Sequence, residues 1–309
     1  MGIVVIGATF VDIKGYPDQN IHPHGRNAGS IEQVYGGVCR NIVYDLAQVD
    51  LNPTFLSVLD DSPVSDDIVS DLKQVHVETK YIQKTDTGLG KWLAVFDEHG
   101  EVYASVSKRP NLNALVEVLE QKGDEIFGPC DAIAIEIDQE ENILEHVFAL
   151  AKRHHKPVYA VVSNMSIALL RKKWIQQCAC LVCNLEEAQQ LFDIVLDEQS
   201  VERCIEQLVK QSLQQKIVPL VVTMGSRGAI YIESQDRYGH VCAKDVQVVD
   251  TTGCGDAFFA GVVMGLTYGQ TLEQACQIGT TLASSVIQTK ENVCFHVSSE
   301  QLGLQLKAK

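Results

Sequence analysis

Short apolar runs alternate with longer amphipathic stretches along most of the chain. The runs are rich in β-branched residues and predict strands at 3–7, 54–59, 132–137, 158–162, 179–183 and 219–224. The stretches between them predict helices at 39–48, 68–74, 115–121, 140–153, 185–192 and 201–213. Several strand runs are apolar without alternation, as expected of strands that are covered on both faces. The pattern therefore predicts an α/β fold with a doubly wound, mostly parallel sheet flanked by helices.

Two segments depart from this alternation. Residues 11–35 hold several glycines and prolines, with too few apolar residues for a core helix. Residues 87–108 have the pattern of two strands joined by a turn at 98–100. We expect the two segments to form a small β-sheet appendage within a single domain that spans residues 1–309. After residue 252 the chain is rich in glycine and alanine and predicts helices at 253–265 and 271–287.

The charge of the chain narrows the range of partners. Its 309 residues include 40 acidic and 25 basic side chains, which gives a formal net charge of −15. Nucleic-acid scaffolds and proteins that bind anionic membranes need clustered positive charge, so we expect neither nucleic acid nor a membrane as a partner. A small phosphorylated substrate is compatible with this charge, because local groups can hold it.

The apolar runs and the cysteines indicate where in the cell the protein is located. No run approaches the roughly 18 consecutive apolar residues of a membrane helix. The first residues lack a basic segment and have the pattern of a core strand rather than of a signal peptide. The 10 cysteines are scattered along the chain, as is typical of buried thiols in a reducing compartment. The expected location is cytoplasmic.

The segment 249–261 carries the most specific chemical pattern. Gly253 and Gly255 stand directly before a predicted helix, where they allow a sharp turn and direct backbone N–H groups outward. The N-terminus of the helix adds positive potential, so the turn suits a phosphate or a developing anion. Asp256 lies at its mouth, placed to take a proton from a hydroxyl. The pattern indicates phosphoryl transfer to an alcohol, with a glycine-rich turn and a solvated acid as the alternative.

Residues 250–256 resemble the DTTGAGD signature of the ribokinase-like (PfkB) family of sugar and nucleoside kinases, with Cys254 in place of alanine. Four further segments are similar to family motifs and follow in the family's order: the first strand with its aspartate at 7–12, GGxxxN at 36–41, NxxE at 184–187 and TxGxxGA at 223–229. The resemblance covers residues 3 to about 290. It implies a ribokinase-like fold in which residues 11–35 and 87–108 form a lid.

The resemblance assigns roles to the reacting groups and to the groups that bind the acceptor. Asp256 would be the base that deprotonates the acceptor hydroxyl. The backbone N–H groups of Gly253, Cys254 and Gly255 would stabilise the transferring phosphoryl group, so a cysteine side chain is tolerable there. The residues that would bind the acceptor are Asp12, Gly36, Gly37, Arg40 and Asn41.

The resemblance also implies ATP and Mg²⁺ as cofactors. Asn184 and Glu187 would organise Mg²⁺, with Glu187 acting through water; alternatively they form a helix cap and an exposed acid. Thr223, Gly225 and Gly228 would line the ATP phosphates and ribose; alternatively they form only a hairpin turn.

A monovalent cation is a further implied ligand. Asp250 and Thr252 lie where many family members bind such an ion, and K⁺ is the candidate. Family members often form dimers through their lid strands, so a homodimer through the lid is compatible with the resemblance.

Arg40 bears on the choice of acceptor. Residues 36–41 have the GGVxRN form found in pseudouridine kinases of this family, so the preferred acceptor is pseudouridine or a related nucleoside. Alternatively, Arg40 pairs with an acid on its own helix, such as Asp45.

Two departures from the pseudouridine kinase pattern keep a sugar acceptor open. They lie at 107–110 and 161–166, and the first of them places Lys108 and Arg109 close to the predicted pocket. This positive charge favours a sugar acid or a phosphorylated sugar, or helps to neutralise ATP. Ribose, fructose, a keto-deoxy sugar acid and a sugar phosphate are therefore the alternative acceptors.

Overall fold

An eight-stranded sheet forms the centre of the protein, and the computed structural model describes residues 2–97 and 102–304. The strands are β1 (Ile3–Ile6), β2 (Phe10–Pro17), β3 (Gly29–Gly36), β4 (Thr54–Leu56), β5 (Val58–Leu59), β6 (Gln83–Lys84), β7 (Gly90–Phe96), β8 (Val102–Lys108), β9 (Ala132–Glu136), β10 (Val158–Val161), β11 (Cys180–Asn184), β12 (Leu220–Thr223), β13 (Ala229–Ser234) and β14 (Arg237–Val241). The helices are α1 (Val38–Ala47), α2 (Pro63–Gln74), α3 (Ala114–Phe127), α4 (Glu141–Arg153), α5 (Met165–Ala168), α6 (Lys172–Ile175), α7 (Leu185–Phe192), α8 (Val201–Gln215), α9 (Cys254–Thr267) and α10 (Leu272–Val286).

The central sheet has the strand order β14-β13-β12-β11-β10-β9-β1-β4. The strands β12, β11, β10, β9, β1 and β4 run parallel to one another. β13 and β14 continue the sheet beyond β12 and pair antiparallel. Two apolar cores cover its faces: one contains the buried sides of α3, α4, α7 and α8, and the other those of α1, α2, α9 and α10. The predicted doubly wound α/β fold is therefore confirmed.

A second, four-stranded sheet has the order β3-β2-β7-β8. It consists of the two segments that broke the alternating pattern, so the predicted small sheet is confirmed. β2 and β7 pair in parallel, and the outer strands β3 and β8 pair antiparallel to them. The predicted turn at 98–100 lies outside the described residues. One face of this sheet leaves apolar side chains in solvent, among them Ile31, Leu93 and Val106.

Several predicted elements have different bounds in the structure. The predicted strand 54–59 is two strands, because β5 leaves the central sheet after Ser57 and pairs with β6. Helix α2 begins earlier than predicted, since Ser62 caps it and Pro63 occupies its first position. The short helices α5 and α6 and the hairpin of β13 and β14 were not predicted.

The strand order places a crevice at the carboxyl end of β1. On one side of β1 lies β4, the next strand of this sheet along the chain. On its other side lies β9, the strand of this sheet that follows β4. Connections that leave a parallel sheet in opposite directions open a crevice, which is the usual ligand site of such sheets. The amino-terminal ends of α1 and α9 and the base of the small sheet meet in this region. Within the described residues, no helix is both long enough and apolar enough to cross a membrane.

Candidate active site

Helix α1 brings Asn41 into the crevice. Its N-cap is Gly37, which has a φ of 101° and whose Cβ, if present, would lie 2.8 Å from the carbonyl oxygen of Ala8. A side chain is therefore excluded on conformational and steric grounds, and the tight turn lets α1 begin directly after β3. Four residues into the turn, the amide nitrogen of Asn41 donates to Oδ2 of Asp256 at 2.8 Å.

Asp256 lies in the first turn of α9, at the base of the crevice. Burial raises the pKa of its carboxyl group to about 7, although the hydrogen bond from Asn41 lowers it; the charge of Asp12 raises it further. The residue keeps partial contact with solvent, so a ligand in the crevice can reach it. A carboxylate that is half ionised near neutral pH is well suited to accept a proton from a hydroxyl.

Asp12 projects from β2 at the base of the small sheet. Burial raises its pKa to about 6, against the lowering effect of Lys14 and Arg40. Gly36 on β3 is in register with Phe10, diagonally across from Asp12, and a Cβ at Gly36 would collide with the Asp12 carboxylate. The absence of a side chain at Gly36 thus leaves room for Asp12 beside the crevice. Asp12 is close enough to Asp256 for its charge to raise the pKa of Asp256.

The turn before α9 presents free backbone N–H groups. Gly253 is the N-cap, with a φ of 79°, and a Cβ there would collide with the carbonyl oxygen of Asn292. Cys254 donates its N–H to the carbonyl of Thr251 in a long bond of 3.3 Å. The N–H groups of Gly255 and Asp256 precede the first intrahelical bonds and point beyond the helix end. Open space surrounds Gly255, so an anion can approach its backbone.

Arg40 is buried and lies beside the crevice. Its guanidinium pairs with Asp71 of α2 at 2.6 Å, so the interpretation that it pairs with Asp45 is wrong. It also donates to the carbonyl of Tyr35 at 3.4 Å and to Oδ1 of Asn41 at 3.3 Å, and it lies over the ring of Tyr44 at 4.9 Å. These contacts hold Asn41 in place. Arg40 therefore lies next to the predicted acceptor-binding groups, with its charge directed to Asp71.

Asp45, the acid considered as a partner of Arg40, instead binds the segment that follows α10. It is fully buried, and its Oδ1 accepts the backbone N–H of Cys294 at 2.7 Å. Burial raises its pKa to about 8. The contact fixes the segment after α10, in which Asn292 donates to the carbonyl of Tyr35 at 2.8 Å and packs against Gly253. Asp45 thus supports the turn before α9 from behind.

Asn184 and Glu187 form the capping box of α7. Oδ1 of Asn184 accepts the N–H of Glu187 at 2.8 Å, and Oε2 of Glu187 accepts the N–H of Asn184 at 2.7 Å. The alternative that these residues cap a helix is therefore observed. Burial raises the pKa of Glu187, and Asp138 adds to the effect. The capping box occupies Oδ1 of Asn184 and Oε2 of Glu187, and among the described residues nothing donates a hydrogen bond to Oε1 of Glu187, so this oxygen is available to a hydrated cation.

The motif at 223–229 forms the turn between β12 and β13. Thr223 ends β12 and lies in register with Asn184 on β11, so the two motifs are neighbours at the edge of the sheet. Gly225 begins a short 3-10 turn, and the backbone bends back at Gly228 into β13. The alternative of a hairpin turn is thus also observed. Such a turn still presents backbone groups at the carboxyl edge, beside the capping box of α7.

Asp250 and Thr252 lie just before the turn at Gly253. Burial would raise the pKa of Asp250, but hydrogen bonds from Thr252, including its N–H at 2.8 Å, and the charge of Lys14 lower it below the usual value. A carboxylate that stays ionised beside a hydroxyl is a suitable oxygen donor for a monovalent cation.

Two buried carboxyl groups at the end of β9 were not predicted from the sequence. Glu136 accepts the N–H of Ala8 at 2.8 Å and the amide of Gln139 at 2.9 Å; burial and the charge of Asp138 raise its pKa. Asp138 is fully buried and pairs with Arg109 at 3.0 Å. An acidic residue at the end of an otherwise apolar strand was the available signal.

The pairing with Asp138 changes the interpretation of Lys108 and Arg109, which lie at the end of β8 and directly after it. The guanidinium of Arg109 is already bound to a carboxylate, and it also donates to the main-chain carbonyl of Asp138 at 3.2 Å. Lys108 ends β8 and is exposed. Arg109 therefore does not offer an uncompensated charge to a substrate, and Lys108 does not belong to the group of residues around Asp256.

Two sets of predicted residues thus lie along one edge of the central sheet. Asp12, Gly36, Asn41 and Asp256 surround the base of the crevice. The second set consists of Asn184, Glu187, Thr223, Gly225 and Gly228. A proton acceptor beside free helix N–H groups can assist transfer of a phosphoryl group to a hydroxyl.

Comparisons with known proteins agree with this geometry. Residues 2–293 match the profile of the pfkB family carbohydrate kinases. The chain is 33% identical over 293 residues to a guanosine-inosine kinase of Exiguobacterium acetylicum, covering 94% of this chain and 95% of that protein. It is 26% identical over 264 residues to a pseudouridine kinase of Escherichia coli, covering 84% and 82%.

The fold has a close match among solved structures. The structure of Arabidopsis thaliana ribokinase complexed with ribose and ATP superimposes with a TM-score of 0.84, covering 97% of each chain at 18% sequence identity. The matched profile covers nearly the whole chain, and the motifs that carry it lie around one crevice. The protein belongs to the pfkB family of carbohydrate kinases and is a phosphotransferase with an alcohol group as acceptor.

Proposed function

We propose that this kinase transfers the γ-phosphoryl group of ATP to a sugar hydroxyl of a nucleoside, with a 6-oxopurine nucleoside such as inosine or guanosine as the preferred acceptor. The observation that carries the phosphotransfer is the position of Asp256, which is held by Asn41 at the N-terminus of α9. The acceptor class rests on the guanosine-inosine kinase, which matches at higher identity and over more of the chain than the pseudouridine kinase.

Asp256 acts as the base in the proposed reaction. Its carboxylate takes the proton of the acceptor hydroxyl as the hydroxyl oxygen forms a bond to the γ-phosphorus. The bond between the γ-phosphorus and the oxygen that bridges it to the β-phosphate breaks, and ADP leaves with that oxygen. The proton on Asp256 then passes to solvent, to which the residue has partial access. The bonds formed and broken therefore balance.

The turn at 253–255 stabilises the charge of the transferring group. Backbone N–H groups at the start of α9 point to the region in front of Asp256, where the helix dipole adds positive potential. These donors are fixed by the fold before substrate arrives, so they need no rearrangement during the reaction. The N–H of Cys254 donates to the carbonyl of Thr251, so the proposed donors are the N–H groups of Gly255 and Asp256, and the side chain of Cys254 takes no part in this role.

Mg²⁺ is proposed to bind near Asn184 and Glu187. Their oxygens fit a hydrated ion, and the negative charge of Asp138 near Glu187 favours a cation there. Within the described residues, no cluster of three or more His, Cys, Asp or Glu side chains forms a metal cage. Mg²⁺ characteristically retains waters and binds substrate phosphates, so few protein ligands are needed. When bound, it neutralises phosphate charge.

K⁺ is proposed to bind at Asp250 and Thr252. The ionised carboxylate and the hydroxyl supply oxygen donors, and the pKa of Asp250 lies below its usual value. The ion would act on the adjacent turn at Gly253 by fixing the loop before α9. We further propose a cytoplasmic location, to which the 10 cysteines, all present as free thiols in the described residues, lend support.

The acceptor is tested by ADP release from the purified protein with ATP and Mg²⁺, with and without K⁺. The panel holds inosine, guanosine, adenosine, pseudouridine, ribose, fructose, a keto-deoxy sugar acid and fructose 1-phosphate. We expect the highest kcat/KM with inosine or guanosine. A higher value with pseudouridine would favour the subgroup suggested by Arg40, and one with a sugar acid or sugar phosphate would overturn the nucleoside assignment.

A further inference from the structure

The face of the small sheet that carries Asp12 also carries a group of aromatic rings. Successive side chains of a strand point to opposite faces, so Asp12, Lys14 and Tyr16 of β2 share one face. Trp92 lies across from Asp12 on β7 and belongs to the same face. Tyr16 and Phe96 stack with ring centroids 4.9 Å apart, and Trp92 meets Phe96 edge-on at 6.4 Å. All three rings remain partly exposed.

Lys14 lies at the centre of this face. Its neighbours across the strands are Ala94 on β7 and Glu32 on β3. The methyl group of Ala94 leaves room for the lysine stem, and the side chain is only 5% exposed. A lysine whose stem is buried needs a hydrogen-bond partner or contact with water for its ammonium group, and the nitrogen of Lys14 is not among the fully buried atoms that lack a partner, so it keeps contact with solvent.

The ammonium group of Lys14 has no such partner within residues 2–97 and 102–304, where no carboxylate lies within ion-pair distance and no hydrogen bond is formed. Its charge nevertheless lowers the pKa of Asp12 and of Asp250. The ammonium is therefore close enough to both carboxylates for its charge to act on them, without bonding to either. This position leaves its three N–H donors available to a ligand that already contacts Asp12.

We propose that Lys14 recognises the base of the acceptor nucleoside by donating to O6 and N7 of a 6-oxopurine, while Trp92 and Phe96 pack against the base. The assignment rests on the proposed nucleoside kinase function. Lysine is a donor only, and O6 and N7 of a 6-oxopurine are adjacent acceptors. Adenine places an amino group at position 6, which is a donor and faces the ammonium unfavourably. Aromatic side chains suit any base, so they add affinity and Lys14 adds selectivity.

Steady-state kinetics with inosine, adenosine and 7-deazainosine test the assignment. Lys14→Met retains the stem and removes the charge; Lys91→Met is the matched control, because Lys91 is exposed on the opposite face of the same sheet. We expect Lys14→Met to raise the KM for inosine by about tenfold to a hundredfold, with a smaller change in kcat. Its KM for adenosine should change by less than about threefold, and Lys91→Met should match the wild type.

The substrate analogue supplies a second, independent comparison. 7-Deazainosine lacks the N7 acceptor, so the wild type should use it with a KM about tenfold above that for inosine. Lys14→Met should treat the two substrates alike, because the donor that distinguishes them is gone. A variant that still distinguishes them, or that leaves the KM for inosine unchanged, overturns the assignment of Lys14.

Tryptophan fluorescence separates this assignment from the proposed function. The chain has 2 tryptophans, and Trp174 is buried in the core against Phe148 with ring centroids 5.1 Å apart. We expect inosine to quench the emission of the wild type, and Trp92→Phe to lose this response. Nucleoside phosphorylation with no effect of Lys14→Met overturns the base contact alone. A wild type that neither binds nor phosphorylates a nucleoside overturns the proposed function together with it.

Discussion

The side-chain amide of Asn41 donates a hydrogen bond of 2.8 Å to Oδ2 of Asp256, although 215 positions separate the two residues in the chain. The guanidinium of Arg40 donates to the amide oxygen of Asn41 at 3.3 Å, which directs the amide nitrogen to Asp256. The orientation of the Asp256 carboxylate, the proposed base, is thus held by α1. Because Asn41 occupies Oδ2, the acceptor proton is expected to go to Oδ1.

The pH dependence of the reaction follows from the pKa of Asp256. Folding raises this pKa to about 7, and only the ionised carboxylate can accept a proton. We therefore expect kcat/KM to fall as the pH decreases through about 7, with a tenfold loss for each further unit. Initial rates between about pH 5 and pH 9 measure this fall, which is the acidic limb of the pH profile. A profile that is flat below pH 7 would contradict the assigned role.

Two substitutions should move this limb in opposite directions. The bond from Asn41 stabilises the carboxylate, so Asn41→Leu should raise the pKa of Asp256 and shift the limb to higher pH. The charge of Asp12 destabilises the carboxylate, so Asp12→Asn should lower the pKa and shift the limb to lower pH. Both variants should also lose acceptor affinity. The position of the limb, rather than the rate, is the readout, and shifts of the same sign would refute the account.

The turn before α9 should be intolerant of a side chain. Gly253→Ala places a methyl group against the carbonyl of Asn292 and requires a φ of 79°. We expect most of the activity to be lost. Gly269→Ala is the matched control, because Gly269 has a φ of 87° and open space around it. It should cost about 1 to 2 kcal/mol of unfolding free energy and leave kcat unchanged. Equal losses in both variants would refute a steric role for Asn292.

Asp45 should make the stability of the fold depend on pH. Folding raises its pKa from 3.8 to about 8, so the folded state retains a proton that the unfolded chain releases. The stabilisation of the folded state by this retained proton is fully present below pH 3.8 and is lost as the pH rises to about 8. Asp45→Asn still offers an acceptor to Cys294 and does not titrate. The Tm of the variant relative to the wild type should therefore increase with pH. The increase should be roughly 2 to 4 °C for each kcal/mol by which the raised pKa of Asp45 destabilises the folded wild type.

Asp50 provides the contrasting control for this measurement. A hydrogen bond from His296 lowers the pKa of Asp50, so its contribution to stability is present above its unfolded pKa and is lost as the pH falls. Asp50→Asn should lower the Tm at neutral pH, and the difference should disappear in acid. If the Tm difference for Asp45→Asn does not change with pH, the carboxyl group of Asp45 is not protonated in the native protein.

Much of the architecture was predictable because it depends on local patterns. The buried parallel strands are continuous apolar runs, and the turn at Gly253 requires glycine for its backbone conformation. The bounds of strands were less predictable where pairing with a strand distant in the chain decides them. β5 leaves the central sheet and pairs with β6, a strand that follows only after α2 in the chain.

The motifs indicated which residues surround the site, but contacts between distant segments were not predictable. The pairing of Arg40 with Asp71 depends on how α2 packs against α1, which no spacing along the chain specifies. The pairing of Arg109 with Asp138 likewise depends on the approach of the small sheet to β9. The capping box of α7 was visible in the sequence, because an asparagine three residues before a glutamate is a local signal.

Asp256 is assigned as the base, and its replacement gives the most direct test of this assignment. ADP formation should be measured with ATP, Mg²⁺ and inosine at about pH 8, above the pKa of Asp256, for the wild type and Asp256→Asn. We predict that the rate falls by about 10² to 10⁴, while the dissociation constants of ATP and inosine stay within about threefold of the wild type. A variant that binds both ligands and retains a rate within about tenfold of the wild type would contradict the account.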